Sequence, residues 1–296
     1  MPTDRTTDFL RELLVRQLTT WLPAALQRSR RATVALVWAG ADGGGAQAAL
    51  RVVAAHADQV RGRRVTVLVL ADGTPELPTR LGPVEAELPA EVTVHLLPGA
   101  PQQLPVALKA AGAAGSPLFS FLDLPDAVTP QLLTAAANGR TGEVLLHAGA
   151  RARDALVAAG FPLVAEVAPV LPDGEAAGVV AFGSRSDRSL EAVRDALWAA
   201  GADLDMRLRD PSDPAGATVD VAGKPDLAPL TRELLAELRR AGPREVTELR
   251  RHTLTATVYR ASDANRALED LLKNGALQRS REPGRLAGDE KLTPTP

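Results

Sequence analysis

Short apolar runs alternate with helix-like stretches over the first two thirds of the chain, and this alternation constrains the fold most. Five runs rich in Val, Leu or Phe resemble buried strands: residues 33–39, 65–71, 92–97, 118–122 and 143–147. Helical stretches lie between or after them: residues 46–59, 102–114, 130–138 and 151–159. Parallel strands that are covered on both faces give such continuous apolar runs. The pattern therefore predicts an α/β fold with a mainly parallel sheet and helices on both faces.

Five segments make up the predicted organisation. Residues 1–28 form an N-terminal helix that packs on the core, and 29–203 form a Rossmann-like domain of about seven strands, in which the proline-rich stretch 75–89 is irregular. Residues 204–227, rich in Asp, Pro and Gly, are a linker. Three helices and a hairpin that turns at Pro283-Gly284 occupy 228–287, the order of a winged helix-turn-helix. Residues 288–296 are predicted to be disordered.

Composition excludes several classes of site. The chain has no cysteine, which excludes disulfides, Cys-ligated zinc, iron–sulfur clusters and thiol nucleophiles. Its four histidines lie far apart in sequence, so we expect no metal site. No apolar stretch is long enough to span a bilayer, and the first residues lack the pattern of a signal peptide. We therefore expect a cytoplasmic protein without membrane contact.

A glycine-rich turn after the first strand is the strongest small-molecule signal. Glycines let a backbone approach a ligand closely, and the following helix N-terminus favours polar groups. The candidate cofactor-binding residues here and after the second strand are Gly40, Asp42, Gly43, Gly44, Asp72 and Gly73. Asp123 ends the fourth strand, where ligands bind in such sheets, and is the candidate catalytic residue. The alternative is that these residues simply form tight turns.

The C-terminal segment is basic within a chain whose net charge is −2. Residues 239–281 contain ten Arg or Lys and five Asp or Glu. The candidate residues for contact with nucleic acid or a partner are Arg244, Arg250, Arg251, Arg260, Asn265, Arg266, Lys273, Arg279 and Arg281. Such a module contacts DNA or RNA phosphates, or alternatively serves protein contact and dimerisation.

Several segments, taken in order, resemble the three-Cys-motif partner protein family. They are the N-terminal helix with Trp21, the loop from Gly40 to Gly45, the Phe-Leu-Asp-Leu-Pro segment at 121–125 and the helix 189–198 that ends in Asp-Ala-Leu-Trp. The resemblance implies a class I, S-adenosylmethionine-dependent methyltransferase core with a C-terminal winged helix. It also implies a partner protein that bears three cysteines.

Two departures from the family pattern bear on function. The family's first strand usually ends in Asp-Gly-Phe-Ala-Gly, whereas this chain has Val37-Trp38-Ala39-Gly40-Ala41. The family's second strand usually carries a Glu where this chain has Leu70. Class I methyltransferases bind the ribose of the cofactor through that acid. We therefore predict a degenerate methyltransferase-like protein that acts as a binding or regulatory module. The alternatives are an active S-adenosylmethionine-dependent enzyme, which methylates nucleic acid or protein, and a self-associating protein such as a homodimer.

Overall fold

The computed structural model describes residues 5–71, 76–280 and 284–295. Its helices are α1 (Arg5–Arg28), α2 (Gly45–Ala55), α3 (Ala57–Val60), α4 (Glu76–Glu85), α5 (Leu104–Ala110), α6 (Pro130–Ala137), α7 (Arg153–Ala158), α8 (Asp187–Asp203), α9 (Ala228–Ala241), α10 (Val246–Ala256) and α11 (Ala261–Lys273). Its strands are β1 (Arg31–Trp38), β2 (Arg64–Ala71), β3 (Val92–Pro98), β4 (Leu118–Asp123), β5 (Gly142–Ala148), β6 (Leu163–Val170), β7 (Val179–Ser184), β8 (Arg207–Arg209), β9 (Thr218–Asp220), β10 (Arg244–Glu245), β11 (Leu277–Arg279) and β12 (Lys291–Pro294). Short 3₁₀ turns span Pro101–Gln103 and Ala113–Gly115.

A large sheet forms the centre of the molecule, with the strand order β3-β2-β1-β4-β5-β7-β6-β8-β9. The first five strands pair in parallel, and β7 lies antiparallel between β5 and β6. The chain moves outward from β1 to β3 and then returns to β4, so the order reverses between β1 and β4. The predicted α/β fold with a mostly parallel sheet is confirmed.

Helices cover both faces of this sheet. Successive strand side chains point to opposite faces, and because they are apolar on both faces, each face needs a cover of helices. Val34 and Leu36 point into a core shared with α1, α2, α4 and α8, whereas Ala35 and Val37 point into a second core shared with α5, α6 and α7. α1 joins the first core through a buried stripe at helical spacing: Phe9, Leu10, Leu13, Leu14, Leu18, Trp21 and Leu22. None of the helices in the described ranges has the length and hydropathy that spanning a membrane requires.

Two expectations about irregular segments were wrong. The expected linker 204–227 contains β8 and β9, which extend the sheet beyond β6. The stretch 75–89 contains α4, which buries Leu77, Leu81 and Val84 on one face. Its Pro78 lies in the first helical turn, where a backbone N–H has no helical partner to lose.

The C-terminal region contains α9, α10, α11 and a small antiparallel sheet of order β10-β12-β11. The expected disordered tail is corrected here, since residues 291–294 form the central strand β12 and bury Leu292. The strand that pairs with β11 therefore begins after residue 290 and not within the predicted segment 228–287. Pro283, half of the expected turn, lies outside the described residues. One apolar core continues from the sheet through α8 into these helices.

Candidate functional site

The carboxyl edge of the central strands is where a ligand crevice is expected, at the point where the strand order reverses. Trp38 at the end of β1 is in register with Asp123 at the end of β4, and Asp123 is in register with His147 of β5. The glycine-rich loop leaves β1 at this edge and enters α2. The fold thus brings the predicted loop and Asp123 to one edge of the sheet.

Asp42, the acid of the loop, is already engaged by the protein. It is buried, and its Oδ2 accepts a hydrogen bond from the Ala46 amide at 3.1 Å. Its Oδ1 forms an ion pair with Arg80 of α4. Both carboxylate oxygens therefore fix the start of α2 and its contact with α4, which gives Asp42 a structural role.

Gly43 lies against the N-terminal helix. Its φ of +53° lies in the left-handed region, and a Cβ at this position would overlap Cγ2 of Thr7. Arg11 Nη1 donates to the Gly43 carbonyl oxygen at 3.2 Å. The first turns of α1 thus occupy one side of the loop. Gly40 and Gly44 differ, since a Cβ at either position would meet no atom within 4 Å.

The ends of β1 and β2 are apolar. Trp38 is 3% exposed, and a Cβ on Gly45 would come within 2.7 Å of its ring. Leu70 is fully buried in the opposite core. Asp72 and Gly73, predicted to bind the cofactor, lie outside the described residues.

Asp123 is held by a histidine that sequence reasoning did not include in the site. His147 Nδ1 lies 2.7 Å from Asp123 Oδ1, and its Nε2 lies 3.1 Å from the Ala177 carbonyl oxygen. A carbonyl only accepts, so Nε2 carries a proton and donates to Ala177. The pairing of β4 with β5 places Asp123 opposite His147. In the sequence, this pair is indicated only by a polar residue near the end of each of two apolar runs.

The contact with His147 holds the Asp123 side chain in place, so Asp123 is not a carboxylate without partners in the chain. Through its contacts with Asp123 and Ala177, the His147 ring links the ends of β4 and β5 to the segment before β7. The Asp123 side chain is still 26% exposed, so one side of the carboxylate faces solvent. In the part of the chain that the structure describes, no group of three or more His, Asp or Glu side chains is placed to hold a metal ion.

The structure gives internal partners to the predicted nucleic-acid residues of α10 and its flanks. Arg244 Nη1 lies 3.3 Å from Glu248 Oε1, and Arg250 Nε donates to Asn265 Oδ1 at 2.8 Å. Arg251 forms two hydrogen bonds with Asp187 of α8, at 2.7 and 2.6 Å. Arg251 therefore links the C-terminal helices to the sheet domain.

The cations of α11 and the small sheet are paired in the same way. Arg260 and Arg266 both bind Asp263, and Lys273 lies 3.6 Å from Asp270. Arg279 donates to both oxygens of Glu290, at 2.7 and 2.8 Å. Arg281 lies outside the described residues. Each described Arg or Lys of the predicted set therefore has an acidic or amide partner within the chain.

Asp263 is the centre of the α11 cluster. Burial alone would raise the pKa of this carboxyl, but hydrogen bonds from Arg260 and Arg266 outweigh burial and lower the pKa. The Arg260 guanidinium also lies 4.1 Å from the ring centroid of Trp198 in α8. This cluster holds the start of α11 against the sheet domain.

No protein-family model matches the chain, and comparison with curated proteins gives no match. The resemblance to the three-Cys-motif partner proteins therefore stays a prediction from sequence.

Proposed function

We propose that this protein is a methyltransferase-like binding or regulatory module that has lost the use of S-adenosylmethionine. The observation that carries this proposal is the state of Asp42. Its two oxygens bind the Ala46 amide and Arg80, so the one carboxylate in the glycine-rich loop does not face a ligand.

Two further observations agree with lost cofactor binding. The end of β1 carries the buried Trp38, and the end of β2 carries the buried Leu70 where the resembled family has an acid. A buried leucine cannot accept hydrogen bonds from ribose hydroxyls. The proposal therefore rests on polar groups that are engaged or replaced.

The strand order supports the methyltransferase resemblance itself. From β3 to β6 it runs 3-2-1-4-5-7-6, with the seventh strand antiparallel. Class I methyltransferases have this order. Because one fold hosts many functions, the order supports the proposed type of fold and not an activity.

Thermal unfolding with and without S-adenosylmethionine tests the proposal. At about 1 mM ligand, a Kd of about 10 µM would stabilise the protein by about 2.7 kcal/mol. We expect no rise in Tm with S-adenosylmethionine or S-adenosylhomocysteine. A reproducible rise of several degrees would contradict the proposal.

For the C-terminal region we propose a winged helix that serves contact with a partner protein or a second copy of the chain. Its helix order and its small antiparallel sheet agree with this assignment. Arg260, Arg266 and Arg279 are paired with the buried carboxylates of Asp263 and Glu290, and these pairs favour protein contact over contact with DNA or RNA phosphates. A homodimer and a partner with three cysteines both remain predictions.

The second candidate function is an active methyltransferase, and the Asp123–His147 pair is the observation that favours it. A carboxylate at the carboxyl edge of β4, partly exposed and paired with an imidazole, suits proton transfer at a reacting substrate. Under this alternative, Asp123→Asn abolishes methylation of nucleic acid or protein. Cofactor binding must be found first for this alternative to stand.

A further inference from the structure

Two arginine-rich tetrads lie at the amino edge of the sheet, opposite the edge described above. Residues 28–31 read Arg-Ser-Arg-Arg and precede or begin β1, and residues 61–64 read Arg-Gly-Arg-Arg and precede or begin β2. β1 and β2 pair in parallel, with Arg31 opposite Arg64. Neighbouring strands lie about 4.8 Å apart, so the pairing brings the two tetrads side by side.

A polar cavity of about 850 Å³ opens at this edge. Four arginines line it together with hydroxyl and imidazole groups: Arg30, Arg31, Arg63, Arg64, Thr93 and His95. Thr93 and His95 are exposed on the edge strand β3, and the cavity also reaches the end of α5 at Ala110. The surface is therefore concave, basic and open to solvent.

The protein neutralises the positive charge of this edge less completely than the charge of the C-terminal helices. Within the described residues, the side chains of Arg30 and Arg64 form no hydrogen bond or ion pair, and both are exposed. Arg31 donates to the Gly112 carbonyl oxygen at 3.1 Å, and Arg63 donates to the Gln59 carbonyl oxygen at 2.7 Å. Carbonyl oxygens carry no net charge, so these two arginines also keep their positive charge.

Acidic groups near the tetrads are few. Glu91 also lines the cavity. Its Oε1 accepts from the Gly62 amide at 3.0 Å, and this bond lowers the pKa of its carboxyl, so the carboxylate offsets part of the positive charge of the four arginines. Arg61 is 3.5 Å from Asp58, with both side chains exposed. Such an exposed pair is weak and opens readily to another anion.

We propose that this amino edge, defined by Arg28, Arg30, Arg31, Arg61, Arg63 and Arg64, binds the phosphate backbone of a nucleic acid. Guanidinium groups match phosphate geometry, and six of them around the amino ends of β1 and β2 suit a chain of phosphates better than a single anion. None of the residues that line the cavity is Phe, Trp or Tyr. The surface therefore contacts phosphates without stacking on bases, which makes recognition independent of sequence.

This inference goes beyond the proposed function and does not rest on it. The carboxyl edge decides whether S-adenosylmethionine binds, whereas the amino edge lies at the other end of the same strands. A cofactor titration and a nucleic-acid titration can therefore fail separately.

Fluorescence anisotropy of the full chain with labelled duplex DNA, single-stranded DNA and duplex RNA of about 30 units tests the proposal. The edge variant is Arg30→Glu with Arg64→Glu, because neither side chain holds the fold by a hydrogen bond. Arg51→Glu with Arg239→Glu is the matched control, since both arginines are exposed, lie outside this edge and give the same change in charge. Circular dichroism and thermal unfolding check that both variants fold.

We expect the wild type to bind at least one of the three nucleic acids, and the edge variant to bind at least tenfold more weakly. The magnitude of the negative slope of log K against log salt should also decrease by about 2, as for the loss of two phosphate contacts. The control should change affinity by less than about threefold.

Three results would overturn the inference. The first is that the wild type binds none of the nucleic acids. The second is that the control variant loses as much affinity as the edge variant, and the third is that the folded edge variant binds as tightly as the wild type. A fourth arm uses vesicles that contain phosphatidylserine. Edge-dependent retention on vesicles without nucleic-acid binding would assign a membrane surface instead and would equally contradict the proposal.

Discussion

Asp263 is a buried carboxylate whose hydrogen-bond donors are the Arg260 amide and the guanidinium groups of Arg260 and Arg266. These bonds hold its pKa below the usual value, so they stabilise the fold at neutral pH and lose this contribution as pH falls through the lowered pKa. We expect Asp263→Asn to lower the free energy of unfolding by about 2 kcal/mol at pH 7. Urea unfolding at several pH values should show this loss shrink below about pH 4.

Asp270→Asn is the control for this prediction. Asp270 lies on the same helix, but its side chain is 66% exposed and its ion pair with Lys273 is long, at 3.6 Å. We expect Asp270→Asn to change the free energy of unfolding by less than about 0.5 kcal/mol, both at pH 7 and below about pH 4. Equal losses for the two variants would show that the Asp263 cluster does not hold α11.

Glu143 of β5 gives a pH dependence of opposite sign. Burial raises the pKa of its carboxyl, although Ser189 donates to Oε1 at 2.6 Å. The charged form of Glu143 is therefore less favourable in the folded chain than in the unfolded chain. Stability is lost as pH rises from the pKa of Glu143 in the unfolded chain through its higher pKa in the folded chain. We expect Glu143→Gln to stabilise by about 1 kcal/mol at pH 7 and to change little near pH 4. Urea unfolding at both pH values measures this, and an equal effect at the two would contradict it.

At the residue scale, sequence reasoning places a polar group near its site without identifying its partner. Asp42 was predicted from the glycine turn around it, but its partner Arg80 belongs to α4, in a stretch that was expected to be irregular. Likewise, Asp123 stands out at the end of an apolar run, whereas His147 joins it only through strand pairing. Contacts between distant segments decide whether such an acid is free or engaged.

The junction between α8 and α10 is the main element-scale feature. Trp198 Nε1 donates to the Val258 carbonyl oxygen at 2.9 Å, and Arg194 Nη2 donates to the Leu254 carbonyl oxygen at 2.7 Å. Arg194 is fully buried, and this burial lowers the pKa of its guanidinium to about 10. These buried side chains of α8 attach the C-terminal helices to the sheet domain.

We expect Trp198→Phe to destabilise the protein by about 2–3 kcal/mol, because it leaves the buried Val258 carbonyl unpaired and opens a cavity. Asp187→Asn, which weakens the exposed pair with Arg251 at the same junction, should cost less than about 1 kcal/mol. Urea unfolding followed by circular dichroism compares the two variants. A larger loss for Asp187→Asn would mean that surface ion pairs, and not the buried contacts, hold the junction.

Strands were predictable where burial is complete and not where pairing alone creates them. β1, β2, β4 and β5 are buried apolar runs, which only a covered sheet accommodates. The edge strand β3 is the exception, since Thr93 and His95 are exposed. β8, β9 and β12 have three or four residues each, with polar neighbours and prolines nearby, so nothing in their local pattern separates them from loops. They form through pairing with strands that are distant in sequence or equally short: β8 pairs with β6, β9 pairs with β8, and β12 pairs with β10 and β11.

The whole molecule presents two chemically distinct edges of one sheet. At the carboxyl edge, Asp42 and Asp123 are tied to groups of the same chain, and apolar side chains end β1 and β2. At the amino edge, the side chains of Arg30 and Arg64 are exposed and form no hydrogen bond or ion pair with the described residues. The cations expected to make the C-terminal segment a basic surface have partners within the chain. The tetrads at 28–31 and 61–64 can be read from the sequence, but they form one surface only because β1 and β2 pair in parallel.

Titration calorimetry of the purified chain with S-adenosylmethionine tests the central claim most directly, with S-adenosylhomocysteine titrated separately. We predict no saturable heat up to about 1 mM ligand, which corresponds to binding weaker than about −4 kcal/mol. A Kd in the micromolar range that is lost in a folded Gly43→Arg variant would contradict the account. It would show that the glycine-rich loop still holds the cofactor.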